Sequence, residues 1–232
     1  MTEKFRRRRI IFVTILFVFL VFSIVNSIPK AKTDKKAAGP DKNDQSLLAV
    51  EELDKLPIKG RAPKTGYSRA QFGEGWKNVN GCDMRNIILN RDLRNVSVDF
   101  GCRVTKGTLD DPYTGKTIEL TRGKMTSDDV QIDHVVALSD AWQKGAQLLP
   151  FHVRVRFAND PLELLAVDGQ ANEQKGDGDA ASWLPKNKLF RCEYVTRQIA
   201  VKKKYDLWVT AAEHGAIKSI LASCPNQSLP KP

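Results

Sequence analysis

Apolar positions recur along the chain in three rhythms. The first is a nearly unbroken run, IIFVTILFVFLVFSIV from Ile10 to Val25, interrupted only by Thr14 and Ser23. The second has helical spacing. It occurs in LLAVEELDKLPIKG from Leu47, at Ile87, Ile88 and Leu93 of CDMRNIILNRDL, and from Asp140 to Leu149. It returns at Val195, Ile199 and Tyr205 of a long segment running from Leu189 through CEYVTRQIAVKKKYDLW, and from Thr210 to Ser223. The third is short and β-branched: KTIEL after a turn at Asp110 to Gly115, then VQIDHVVAL, then LELLAV. These rhythms predict helices flanking a small antiparallel sheet, an α+β class. Beyond Pro150 the segment RFANDP reads as a loop, Asp168-Gly169 as a turn, and the polar Gly/Asp-rich ANEQKGDGDAAS as containing a helix start.

The first rhythm changes the picture most. Arg6 to Arg9 precede it, and basic residues before an apolar run keep the N-terminus cytoplasmic, so the chain beyond the run is exported. Its length falls between a signal-peptide core and a spanning helix, so residues 1–28 are a signal anchor or a signal peptide. Residues 29–46, PKAKTDKKAAGPDKNDQS, have almost nothing to bury and read as a flexible tether. Residues 47–224 form the domain and 225–232 a C-terminal tail. Residues 1–45 carry ten basic and four acidic side chains, placing +6 of the formal +10 net charge outside the domain. The domain is only mildly basic, and charge alone does not argue for a nucleic-acid partner. Four widely spaced cysteines, Cys82, Cys102, Cys192 and Cys224, contain no C-x-x-C pair. In an exported chain they predict two disulfides; of three pairings, the sequence-local Cys82–Cys102 and Cys192–Cys224 is chosen because each staples one end of the domain.

Three chemically compatible pieces stand apart from these rhythms. Asp133 and His134 interrupt the strand VQIDHVVAL, where alternation sends them to opposite faces. Asn159 lies in FANDPLELL, and Asn172 and Lys175 lie in ANEQKGDGD. Taken singly, each has a plainer reading: a satisfied core histidine, a turn, a helix cap. Their order, however, is strand with Asp-His, loop Asn, strand, turn, then Asn-x-x-Lys entering a helix.

With IDHVVALSDAW, FANDPLELLAVDGQANEQKGDGDAASWLP and RCEYVTRQIAVKKKYDLW, this order resembles the HNH nucleases of the His-Me finger (ββα-metal) superfamily. The resemblance is closest to exported HNH proteins related to the C-terminal domain of GmrSD restriction enzymes. GYSRAQFGEGW and GCDMRNIILNRDL are also similar to that subgroup, so the match spans residues 60–224. It implies a ββα-metal core with flanking helices. It assigns His134 as general base, Asp133 and Asn172 as ligands of one divalent metal, Asn159 as the residue holding the His-bearing loop, and Lys175 as a basic group near the scissile phosphate. Asn172 stands where many members have His. Oxygen ligands favour Mg²⁺, with Mn²⁺ as a substitute, over Zn²⁺ or Ni²⁺. The implied activity is hydrolysis of DNA, and of RNA as well, at low sequence specificity by a monomer. Backbone contacts would come from Arg85, Arg91, Arg156, Arg191 and Arg197, joined by Arg154 and Lys202 to Lys204; the plainer reading of each is a solvated surface charge. A surface nucleic-acid-binding protein with the same fold and no catalysis is the competing expectation, and a stapled wall-associated domain with no nucleic-acid role is a third.

Overall fold

The computed structural model describes residues 48–123 and 128–230. The apolar run, the whole of the tether and Leu47 lie outside these residues. Among the described residues, no helix is long and apolar enough to cross a membrane. Residues 46–232 cluster as one unit.

The elements mix strands and helices, as an α+β class requires. The helices are α1 (Ala49–Lys55), α2 (Met84–Asp92), α3 (Leu138–Gln143), α4 (Phe151–Ala158), α5 (Gly169–Lys175), α6 (Arg191–Lys204) and α7 (Ala211–Leu221). The strands are β1 (Asn78–Val79), β2 (Cys82–Asp83), β3 (Arg94–Asp99), β4 (Arg103–Asp110), β5 (Thr117–Thr121), β6 (Val130–His134) and β7 (Leu164–Asp168). They do not form the one small sheet expected. Among the described residues three antiparallel sheets are present instead: β1–β2, β3–β4–β5 and β6–β7.

The β6–β7 ribbon is the centre of the domain. Its register pairs Asp133 with Leu165 and His134 with Leu164. One face carries Val130, Ile132, Leu164 and Ala166 into a cluster with Ile88 and Leu89 of α2. The other carries Val135, Leu165 and Val167 into a cluster with Tyr194, Val195 and Ile199 of α6 and Ile217 of α7. Burial on both faces explains why LLAV is a continuous apolar run and not an alternating one.

Three expectations need correction. The first half of RFANDP is not loop: Asn159 to Pro161 lie outside helix and strand as expected, but Arg156 to Ala158 complete helix α4, which starts after Pro150 at its N-cap. Its Val-Arg-Val-Arg alternation hides the helical period, and packing of Phe157 and Ala158 into a third cluster decides the outcome. The long helix stops at Lys204 and does not continue to Trp208. Asp206 takes a left-handed φ of 52°, and the Leu207 N–H returns to the Lys202 carbonyl at 2.9 Å, a Schellman end. Strands β3 and β4 had no counterpart in the expected elements. Gly107 in β4 is needed there because a Cβ would meet Leu93 Cδ2 at 2.7 Å, where the end of α2 crosses the strand.

The disulfides are Cys82–Cys102 and Cys192–Cys224, the pairing expected. The first ties β2 to the β3–β4 turn, and the second ties the start of α6 to the turn after α7. The second closes a separation of 32 residues. Replacing Cys192 and Cys224 together by serine is expected to lower unfolding free energy by about 3–4 kcal/mol. Thermal unfolding under non-reducing conditions checks this as a fall of about 6–16 °C in Tm.

Candidate functional site

His134 ends β6 and is 7 % exposed. Its Nε2 lies 3.0 Å from the Ala158 carbonyl oxygen, which can only accept. Nε2 therefore carries the proton, and in the neutral ring Nδ1 is left as a lone-pair acceptor with no partner among the described residues. Burial pushes the imidazole down to about 3; the bond to Ala158 opposes this, and the positive Arg69 and Lys175 add to it. The ring is thus neutral at pH 7. Trp76 stacks on it almost in parallel, with centroids 5.7 Å apart and planes at 8°.

Asn159, the C-cap of α4, fixes that stack from behind. Its Oδ1 accepts from the Lys77 N–H at 2.8 Å, and its Nδ2 donates to the Val155 carbonyl at 2.9 Å. The residue thus ties the Trp76-Lys77 segment to the helix whose last residue, Ala158, holds the His134 ring. Asn159→Ala is expected to lose about 1–3 kcal/mol, since it leaves a buried donor or acceptor unpaired. Urea unfolding measures the loss, and near-ultraviolet circular dichroism should show Trp76 released from its stack.

Asp133 points the other way, as strand alternation requires. One oxygen accepts from Lys175 Nζ at 2.9 Å and the other from the Tyr113 hydroxyl. Lys175 also donates to the His134 carbonyl at 2.7 Å. Burial raises the Asp133 carboxyl, while the Lys175 ammonium and the Tyr113 hydroxyl work against that rise. Lys175 can reach inward because α5 packs on both β6 and β7, its N-terminus capped by Asp168 on the Ala171 N–H. Gly169 permits this approach, since a Cβ there would stand 2.0 Å from the Asp128 carbonyl oxygen.

Asn172, one turn before Lys175, donates from Nδ2 to Gln131 Oε1 at 2.8 Å. Its Oδ1 has no protein partner among the described residues. Gln131 in turn donates to Glu173 at 3.3 Å. Asp133, His134, Asn172 and Glu173 line one side of a cavity of about 300 Å³, and Arg69 lines the other. A second cavity of about 340 Å³ shares Arg69, His134 and Leu138 as walls, and its other lining residues include Ala70, Phe72, Glu74, Trp76 and Ala158.

No group of three or more His, Cys, Asp or Glu side chains among the described residues could hold a metal ion. The donors present suit a different kind of site. A hard cation such as Mg²⁺ keeps most of its waters and takes one or two protein oxygens. Asn172 Oδ1 is open for that role, while Asp133 is already engaged by Lys175 and Tyr113.

The expected backbone-binding arginines divide. Arg91 donates to the Pro161 and Leu164 carbonyls and pairs with Asp92, which itself accepts from the Ala166 N–H. It clamps the loop entering β7. Arg85 donates to the Val130 carbonyl and Arg191 to the Pro185 carbonyl. Arg197 is half-buried, and burial lowers its guanidinium. Arg154 donates to Gln71 and Leu149. Arg156 is exposed. Lys202 is fully buried among carboxylates, while Lys204 pairs with Asp160 at 2.6 Å. The structure thus brings Asp133, His134, Asn159, Asn172 and Lys175 together and leaves these arginines spread over the domain.

Sequence reasoning missed Arg69, Trp76 and Tyr113. The signal for the first two was present in GYSRAQFGEGW, whose mixture of aromatic and basic residues forms the 3₁₀ turn Arg69–Phe72 and the strap over His134. Tyr113 was concealed in a turn.

A family model described as the C-terminal domain of GmrSD restriction endonucleases matches residues 83–220. The chain is 35 % identical over 209 residues to a protein of Arthroderma benhamiae described as an uncharacterized secreted protein, covering 89 % of this chain and 99 % of that one. No solved structure matches the chain.

Proposed function

Because the chain belongs to the family of GmrSD restriction endonuclease C-terminal domains, we propose that it is an exported endonuclease of HNH type. It hydrolyses phosphodiester bonds of DNA, and of RNA as well, at the cleft around His134. The observation carrying this reading is the protonation of that ring: Nε2 is committed to Ala158, and Nδ1 is free beside two cavities. A neutral, oriented imidazole can take a proton from an attacking water, help worth about 10²–10⁴ in rate when the base titrates near the working pH. A ring held near 3 by burial is a weaker base until the negative charge of a bound phosphate raises it. The order β6, β7, α5 supports a ββα finger, with Asp133 and His134 on opposite faces of one strand.

In this reading Asn172 Oδ1 would hold Mg²⁺, or Mn²⁺ in its place, and Asp133 would be the second oxygen donor once released by Lys175. When bound, the ion supplies Lewis-acid stabilisation of charge at the phosphate and leaving oxygen. The protein's own part is to orient the base through Trp76 and Ala158 and to place Arg69, exposed at both cavities, against the phosphate. Lys175 is assigned to holding Asp133 and the His134 main chain, not to touching substrate. Export is supported by the basic-then-apolar N-terminus, by the two disulfides and by the secreted relative. Backbone contact by exposed groups such as Arg69 and Arg156 gives low sequence specificity.

The test is digestion of supercoiled plasmid by the purified full chain with Mg²⁺ or Mn²⁺, and with EDTA. Cutting that needs the metal is the expected result. Intact plasmid with every divalent metal sinks the nuclease reading and leaves the binding protein in its place.

A further inference from the structure

The two cavities that share His134 and Arg69 differ in chemistry. The side holding Asp133, Asn172 and Glu173 is rich in oxygen donors. The other is lined mainly by Ala70, Phe72, Trp76, Ala158 and Leu138, the last shared with the first cavity, and also by the exposed carboxylate of Glu74. A phosphodiester whose phosphorus lies beside His134 carries a nucleoside on each side, and each nucleoside must go somewhere. Carboxylates line the first side, which in the nuclease reading would also take the hydrated ion. The second offers aromatic and aliphatic walls beside Arg69 and Glu74, a volume of about 340 Å³, and His134 itself in its lining.

We infer that this apolar cavity is a base-binding subsite, which takes one unstacked nucleobase of the nucleotide next to the bond that is cut. The inference rests on the nuclease reading for the position of the phosphate. Continuity with that position names the occupant, since Arg69 and His134 would hold the phosphate of the nucleotide whose base enters. Every base presents a flat apolar face, so such a subsite accepts any of the four. A paired base in a duplex is stacked between its neighbours and cannot enter without being extruded. The substrate class is therefore nucleic acid with unpaired nucleotides: single strands, loops and frayed ends.

Two measurements on the full chain test this. In calorimetric titrations, thymidine 3′,5′-bisphosphate should bind about tenfold more tightly than the same sugar bisphosphate lacking a base, as expected for one base moved onto aromatic walls. Ala70 is exposed on the 3₁₀ turn at the cavity. Ala70→Trp fills the space and should erase the difference, whereas Ala70→Ser should keep it. In cleavage assays, a single-stranded oligonucleotide should be cut at least about tenfold faster than its duplex. Equal affinity of the two bisphosphates for the unmodified chain overturns the subsite, with no variant needed. So does a duplex cut as fast as its single strand. If base-dependent binding is found but nothing is cleaved, the cavity remains a nucleobase site while its place beside a cut bond and the nuclease reading both fall; cleavage without base dependence keeps the nuclease reading and overturns the subsite.

Discussion

His134→Ala is expected to cut plasmid about 10²–10⁴-fold more slowly than the unmodified chain, under conditions where both remain folded. The size follows from the geometry around one ring. Nε2–H is held by the Ala158 carbonyl, Trp76 covers one face, and burial keeps the ring neutral far below pH 7. A base built this way is preorganised: neither tautomer nor orientation has to be found when substrate arrives. Removing it also strands the Ala158 carbonyl, at a cost of about 1–3 kcal/mol, so assays belong well below the melting temperature. The ring's low value gives a second readout. The free enzyme's kcat/KM should show no acid limb at the ordinary histidine value near 6.5 and should fall only in more acidic solution. Equal cutting by His134→Ala would remove the ring from the mechanism.

The largest effect on stability should come from a residue that the sequence offered no reason to choose. Lys144 is fully buried and sits 2.7 Å from each of Asp140, Asp179 and Glu213. Lys202 joins Glu213 at 3.0 Å, and Arg61 reaches Asp140 and Asp179. Two buried cations, with the partly exposed Arg61 at the rim, thus meet three buried carboxylates. Asp140 belongs to the helix after β6 and Asp179 to the loop after α5, while Lys202 and Glu213 belong to α6 and α7. The cluster therefore anchors both segments that leave the candidate site to the helices behind it. Lys144→Met leaves three buried carboxylates with two cations, and loss of one partner from such a set costs about 3–5 kcal/mol. Tm should fall by about 6–20 °C, with activity lost at correspondingly lower temperature. Adding Glu213→Gln restores charge balance and should recover part of the loss.

The sign of the acid response can also be worked out. Burial alone would raise the Asp179 carboxyl, but Lys144 and Arg61 outweigh it and hold the group well below the usual carboxylate range. Its contribution is complete above the unfolded value near 4 and is lost as pH falls below that. Lys144→Met should flatten this part of the profile in urea titrations at graded pH.

What could be read from the chain was whatever expresses itself locally. The turn at Asp110 to Gly115, helix α2, the strand through His134 and the pairing of the cysteines all follow from spacing and residue type. Three further features depend on contacts between distant segments. Arg91 looks like a surface cation until Pro161 and Leu164 are brought to it. Lys202 lies in the run Lys202 to Lys204 and looks like part of a basic helix face, yet it points inward while its two neighbours are exposed. Helix α4 carries an alternating pattern that packing overrides. The candidate site was legible to the extent that Asp133, His134, Asn159, Asn172 and Lys175 converge. That Asp133 and Lys175 pair with each other was not, because a strand and a helix must meet across a separation of 42 residues to show it.

The β6–β7 ribbon has a consequence for how this chain can vary. Both of its faces are committed: one carries His134 towards Ala158 and Trp76, the other carries Asp133 towards Tyr113 and Lys175. A substitution disturbs one position on one face. Insertion or loss of a single residue between Asp129 and Asp133 would exchange the two faces for every residue before it, driving Gln131 into the α2 cluster and taking Ile132 out of it. A change of length by two keeps both faces in register, whereas a change by one needs a bulge in the ribbon to absorb it.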